Sequence, residues 1–219
     1  MKKYELLVDD TITFFGVQLF RIKALISFSG IEKGELGGYI SSEKNLSQSG
    51  NAWVYGNAKV YGNAKVYGNA KVYGNAEVYG NAEVYGNAEV YGNAWVYGDA
   101  EVYGNAKVYG DAWVYGDAWV YGNAEVYGNA KVYGDAWVYG NAEVYGNADY
   151  IVFKNTWSSG RYFTYTKSNK MWRVGCFYGN GHELIEKAYK DSQKSGDFYK
   201  AYVEFVEKLE EIEKIHKEQ

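Results

Sequence analysis

The sequence predicts a mainly β solenoid that coils in parallel, with a β cap before it and an α+β module after it. Three observations lead there. Residues 51–146 are sixteen tandem hexapeptides, Ala-x-Val-Tyr-Gly-Asn, in which x is only Lys, Glu or Trp and Asn becomes Asp four times. Glycine at every sixth position costs a helix about 1 kcal/mol each relative to alanine, so a helix cannot use this pattern. The charges at x also fall into complementary columns when the chain is wound eighteen residues at a time.

Segment 1–38 reads as an N-terminal β-hairpin cap. "TITFFGVQLFRIKAL" places strand formers on both sides of Gly16, and Tyr4–Val8 reads as a third strand. "GGYISSEK" and "NLSQSG" follow as degenerate first units, with Ile40 in phase with Leu46 and Leu46 standing where the repeat has Ala. Atypical end units are expected, because the open end of a solenoid exposes unpaired strand edges.

The repeat domain is read as 39–152. Ala-x-Val-Tyr alternates with period 2, so Ala and Val share the inner face, and x and Tyr the outer. Gly-Asn then turns the chain. A four-residue strand cannot satisfy its backbone alone and must pair with its equivalent one coil later. With three hexapeptides per coil the x columns hold six opposite-charge neighbours, two like-charge neighbours and the stacks Trp95–Trp113 and Trp119–Trp137. Including the corner column Asp99, Asp117, Asp135 gives six against four; two or four hexapeptides per coil give three against four and three against five.

The C-terminal module is read as 153–219. "YIVF" at the junction, "RYFTYT" and "MWRVGCF" read as strands, and "HELIEKAYK" as a short helix. A longer helix runs from about Asp197 to His216, with Phe198, Tyr202, Phe205, Leu209 and Ile212 at heptad spacing. That stripe packs either on the module's own sheet or on another subunit.

The hexapeptide pattern, a small residue two positions before an aliphatic one, resembles the left-handed parallel β-helix family over about 100 residues. The resemblance implies a three-sided left-handed prism with eighteen residues per coil. The wider segment "FRIKAL…KGELGGYISSEKNLSQSGNAWVYGNA", the repeat and the tail "GCFYGNGHELIEKAY" are similar to hexapeptide-repeat proteins of bacteriophage and prophage genomes. Within the β-helix family, acyltransferases use a histidine base and carbonic anhydrases a histidine metal cluster. Residues 51–146 contain no His, Ser, Thr, Cys or Arg, and the chain has only His182 and His216. Neither chemistry is expected here.

Charge narrows the field further. Residues 51–149 carry eleven acids and five bases, net −6, while residues 150–219 carry ten acids and twelve bases, net +2. Neither balance is that of a phosphate-binding surface, and direct nucleic-acid binding is not favoured. No apolar run is long enough for a membrane span, and a lone cysteine, Cys176, fits a reducing, cytoplasmic setting. Near-identical repeats offer the same side chains sixteen times, which suits contact more than catalysis.

The expectation is therefore a non-enzymatic binding or assembly scaffold, without a cofactor, that meets a protein partner and self-associates as a dimer or trimer. Its contact surface is expected at Trp95, Trp113, Trp119 and Trp137 with Tyr97, Tyr115, Tyr121 and Tyr139. Flat aromatic faces there could stack on a partner. The Asp99, Asp117, Asp135 column is the weaker candidate, for a cation. The alternative expectations are an acidic inhibitor or mimic that occupies a host protein's nucleic-acid groove, and a ligand-sequestering protein.

Overall fold

A computed structural model describes residues 2–146 and 149–217, which divide into two compact units, 1–149 and 150–219. The first unit is a parallel β-solenoid of about six turns. Strands β1 (Tyr4–Phe14), β2 (Val17–Ala24) and β3 (Leu36–Ile40) precede sixteen two-residue strands, β4 (Trp53–Val54) to β19 (Glu143–Val144). Each short strand is the pair x-Val of one hexapeptide. It pairs in parallel with the x-Val eighteen residues on, as Lys71↔Glu89 and Val72↔Val90 show.

Three sheets form the walls: β1-β2-β3-β5-β8-β11-β14-β17, β4-β7-β10-β13-β16-β19 and β6-β9-β12-β15-β18. Every repeat Ala and Val from Ala52 to Val144 is at most 1% exposed, so the inner face is a dry column of small aliphatics. The corners come from Tyr-Gly-Asn-Ala turns, in which the Ala N–H donates to the Tyr carbonyl, as Ala58 does to Tyr55 at 3.1 Å.

The backbone bonds between coils have a direction. The N–H of x donates to the Ala carbonyl eighteen residues after that repeat's own Ala, as Lys71 does to Ala88 at 2.9 Å. Tyr donates likewise to Val, and Asn to Gly. The first coil must therefore present carbonyls at its outer edge, and the last coil N–H groups. The N-terminal cap supplies donors to match. Lys3 donates its ammonium to Ala52 O at 2.8 Å, and Asn45 its amide to Gly62 O and Ala64 O at 3.0 and 2.9 Å. At the other end the Asp149 carboxylate accepts from the N–H groups of Tyr145 and Gly146 at 2.8 and 2.7 Å. Asp149 thus leaves the x column in which spacing alone would place it.

Two details of the cap differ from expectation. Tyr4–Val8 is no separate strand. It is the first half of β1, which runs through to Phe14 with a bulge between Leu7 and Thr11 and turns at Phe15 and Gly16. The third strand of the cap is β3. In the degenerate units, Ile40 pairs with Val60 and Leu46 bridges Val66, so Leu46 stands at the Val position, not the Ala position. The stretch after Leu46 is correspondingly two residues longer than a repeat before Val54 meets Val72.

The second unit is an antiparallel sheet, β20 (Tyr150–Lys154), β21 (Tyr162–Thr166), β22 (Met171–Val174) and β23 (Phe177–Gly179), with helices α1 (Gly181–Asp191) and α2 (Gln193–Lys217). "MWRVGCF" is two strands, because Gly175 at φ +55° turns the chain there. Asn180 opens α1 with a capping box, its side chain accepting from Glu183 N at 3.0 Å while Glu183 accepts from Asn180 N at 2.9 Å. The core is Phe163, Tyr165, Trp172 and Val174 of the sheet against Leu184, Ala188, Tyr199, Val203 and Val206 of the helices. No helix among the described residues is long and apolar enough to cross a membrane.

Candidate contact ridge

The outer wall satisfies itself by a rule that charge counting does not reveal. Every glutamate at x accepts a hydrogen bond from a tyrosine of the previous coil, sixteen residues earlier. Tyr67 reaches Glu83 at 2.8 Å, Tyr85 reaches Glu101 at 2.7 Å and Tyr109 reaches Glu125 at 2.9 Å. Glu77, Glu89 and Glu143 receive Tyr61, Tyr73 and Tyr127 in the same way. Where lysine precedes glutamate in a column the pair closes: Lys65–Glu83 at 2.8 Å, Lys107–Glu125 at 3.0 Å, Lys59–Glu77 at 3.6 Å and Lys71–Glu89 at 3.7 Å.

The charges respond accordingly. The Lys65 hydrogen bond holds the Glu83 carboxyl below its ordinary range, and Lys107 does the same for Glu125. Burial pushes Glu77 up, against the pull of Lys59. Phe14 of the cap lies over this last pair, with Lys59 Nζ 4.5 Å from its ring centre. Glu83 and Glu101 are like-charge neighbours in one column, and each has its own phenol donor.

Tryptophan interrupts this wall. Trp95 pairs with Trp113 on the wall of β11 (Trp95–Val96) and β14 (Trp113–Val114), and the rings stack at 4.9 Å and 6°. Trp119 pairs with Trp137 on the wall of β15 (Trp119–Val120) and β18 (Trp137–Val138), at 4.9 Å and 3°. The tyrosine that would reach a glutamate turns its edge to the indole instead: Tyr79 to Trp95 and Tyr103 to Trp119, both at 6.4 Å. Tyr97 stacks on Tyr115 at 4.9 Å and 0°, while Tyr121 and Tyr139 lie at 4.3 Å, tilted by 38°.

The predicted contact residues thus gather into two groups, Trp95, Trp113, Tyr97 and Tyr115 on one wall and Trp119, Trp137, Tyr121 and Tyr139 on the next. One expectation needs correction. Ring faces are turned along the solenoid toward their neighbours, so the faces inside each stack are occupied and the outer surface consists mainly of ring edges. Trp95, Trp113, Trp119 and Trp137 are half-buried in consequence. One stack end carries a cation that spacing did not single out: Lys131 Nζ stands 4.3 Å from the Trp113 ring centre.

The corner between these walls is the aspartate column. Elsewhere corner asparagines donate an amide to the side chain one coil later, as Asn51→Asn69, Asn69→Asn87 and Asn87→Asn105 do at 3.0 Å. Asn81 extends such a ladder to Asp99 at 3.0 Å. A carboxylate has no N–H to pass on, so the chain of donors stops at Asp99, and Asp117 and Asp135 continue the column as charges. Among the described residues no group of three or more His, Cys, Asp or Glu side chains is placed to hold a metal ion. The column therefore carries no metal assignment.

In the second unit Cys176 is exposed, and the His182 imidazole lies 3.8 Å from Glu186. The α2 stripe at heptad spacing only partly meets the sheet. Tyr202 stacks on Phe153 at 4.7 Å, but Phe205, Leu209 and Ile212 are 54%, 39% and 43% exposed. The face that packs on the core is Tyr199, Val203 and Val206. Trp157, 66% exposed, is held out by a turn in which buried Asn155 accepts from the N–H groups of Trp157 and Ser158.

No protein-family model matches the chain, and no curated protein is significantly similar to it.

Proposed function

We propose that this protein is a non-enzymatic contact scaffold whose solenoid presents one ridge to a protein partner rich in arginine or lysine. The observation that carries the reading is the register. It sets Trp95–Trp113 and Trp119–Trp137 on either side of the Asp99, Asp117, Asp135 corner, on a wall that otherwise neutralises itself. Indole edges offer apolar contact area, and the corner offers charge without a built-in counter-ion ladder. The net −6 of residues 51–149 favours the same class of partner, and includes the case in which that partner is a host nucleic-acid-binding protein whose groove the ridge occupies. The likeness to phage-borne hexapeptide proteins and the lone cysteine support a setting in the cytoplasm of a bacterial host.

The test replaces Asp99, Asp117 and Asp135 by asparagine, the residue that twelve of the sixteen repeats carry at this position. Binding of an arginine-rich peptide, read by tryptophan fluorescence, is expected to weaken about tenfold or more in the variant and to fall with salt in the parent. The variant should melt at the same temperature as the parent or higher, because the asparagine ladder then runs on past position 99. Equal binding by the two proteins would sink the reading.

A further inference from the structure

The exposed stripe of α2 has a periodicity of its own. Phe198, Tyr202, Phe205, Leu209 and Ile212 follow one another at 4, 3, 4 and 3 residues, which assigns Phe198, Phe205 and Ile212 to d positions and Tyr202 and Leu209 to a positions. The e positions Tyr199 and Val206, with Val203 beside them, are spent on the unit's own core. One side of the helix is therefore committed to the sheet, Tyr202 packs on Phe153, and the seam is left open from Phe205 onward. Beyond Val206 the sheet holds α2 by polar contacts: the Tyr165 hydroxyl donates to Glu210, and Lys167 pairs with Glu213 at 2.8 Å. Over this stretch Leu209, Ile212 and Ile215 are 39%, 43% and 56% exposed. A cleft of about 510 Å³, lined by Phe153, Trp157, Phe198, Tyr202 and Phe205, opens at the N-terminal end of the same seam.

We propose that the seam is occupied by α2 of a second copy of this chain, as a parallel two-stranded coiled coil. This goes beyond the contact ridge and does not depend on it. A period of 3.5 residues is what another helix requires, and the exposed Phe205, Leu209 and Ile212 keep it where the sheet does not use it, whereas a small apolar ligand would not need it. Charge then selects the orientation. Lys208 stands at g and Glu213 at the following e, so in a parallel pair each Lys208 faces the partner's Glu213, on both flanks of the seam. In an antiparallel pair g meets g and e meets e, so Lys208 and Glu213 could not face one another. Within one chain these groups have local partners, Lys208 with Glu211 at 2.9 Å and Glu213 with Lys167 and Lys217. Two strands suit the site better than three, because a trimer would draw on the e positions Tyr199 and Val206, which the sheet already covers, whereas the pair needs only Glu213, whose side chain is 38% exposed.

The test is the mass of the full chain in solution by light scattering. At about 50 µM the protein is expected to weigh twice its 24.7 kDa chain mass and to dissociate on dilution. Leu209→Glu, at an exposed position, should give a monomer that keeps the parent's circular dichroism and no longer shows a melting temperature that depends on concentration. Lys208→Glu should weaken the dimer about tenfold, and Lys208→Glu with Glu213→Lys should restore it. In a Cys176→Ser background, Ile212→Cys should form an intermolecular disulfide under mild oxidation, since d faces its own counterpart only in a parallel pair. A monomeric parent, a trimeric mass, a dimer indifferent to Leu209→Glu, or an Ile212→Cys dimer that does not cross-link would each overturn the proposal.

Discussion

At the scale of single residues, the tyrosine of each repeat does two jobs. Its ring stacks on the ring one coil away, and its hydroxyl serves the glutamate sixteen residues on wherever one occurs. Tyr85 shows the second job clearly, because Glu101 lies next to Glu83 in its column and takes the Tyr85 hydroxyl at 2.7 Å. Tyr85→Phe is expected to destabilise the protein by about 1–2 kcal/mol in urea titrations, since it leaves a partly covered carboxylate short of a donor. Tyr97→Phe should cost under about 0.5 kcal/mol, because position 113 is tryptophan and no glutamate waits there. Equal costs at the two sites would show that stacking, and not the hydrogen bond, carries the effect.

At the scale of the hexapeptide, the corner decides what the repeat tolerates. Gly98 has φ +74°, and a Cβ added there would come 2.9 Å from the backbone N of Gly116. Gly56 has φ +56° but open space around it. Gly56→Ala therefore bears only the left-handed backbone cost, about 1–2 kcal/mol. Gly98→Ala adds a collision between two coils that only a backbone shift can relieve, for a total of about 2–5 kcal/mol. Chemical denaturation of the two variants should separate them, and a Gly98→Ala protein as stable as Gly56→Ala would contradict the packing described for the corners. The glycines of the repeat thus have two causes, a left-handed conformation from Gly56 to Gly140 and coil spacing in the interior.

At the scale of the whole molecule, the stacked tyrosines make the solenoid sensitive to alkali. Burial pushes the Tyr79 hydroxyl up to about 12, and Tyr61, Tyr67, Tyr73 and Tyr85 higher still, with adjacent glutamates adding to the effect of burial. An unfolded tyrosine ionises near 10. Above that value the folded chain holds protons that the unfolded chain has lost, so stability is complete below about pH 10 and falls as pH rises toward the folded values. These five tyrosines should ionise only past about pH 11, and the phenolate absorbance that they add there should rise together with loss of β structure. Replacing Tyr61, Tyr67, Tyr73, Tyr79 and Tyr85 by phenylalanine should remove that late phase, and a phase unchanged by the replacement would refute this account.

Much of the architecture was legible in residues 51–146 because one local rule, repeated sixteen times, admits few packings. Period 2 fixed which side chains go inside, Gly-Asn fixed the corners, and the lysine and glutamate columns selected eighteen residues per coil. Those columns also placed the Trp pairs and the Asp corner correctly. Three things escaped because they depend on direction or on unique contacts, neither of which a repeat encodes. The hydrogen bonds between coils are polar along the axis, and only the folded chain shows that Lys3 and Asn45 must bring donors to one end and Asp149 an acceptor to the other. The ring planes lie across the solenoid axis, which turns edges outward and closes the faces that composition alone seemed to offer. In α2 the sequence set the heptad, but tertiary packing decided which face the sheet would take. It took Tyr199, Val203 and Val206, because these meet the aromatic core, and left Phe205, Leu209 and Ile212 exposed.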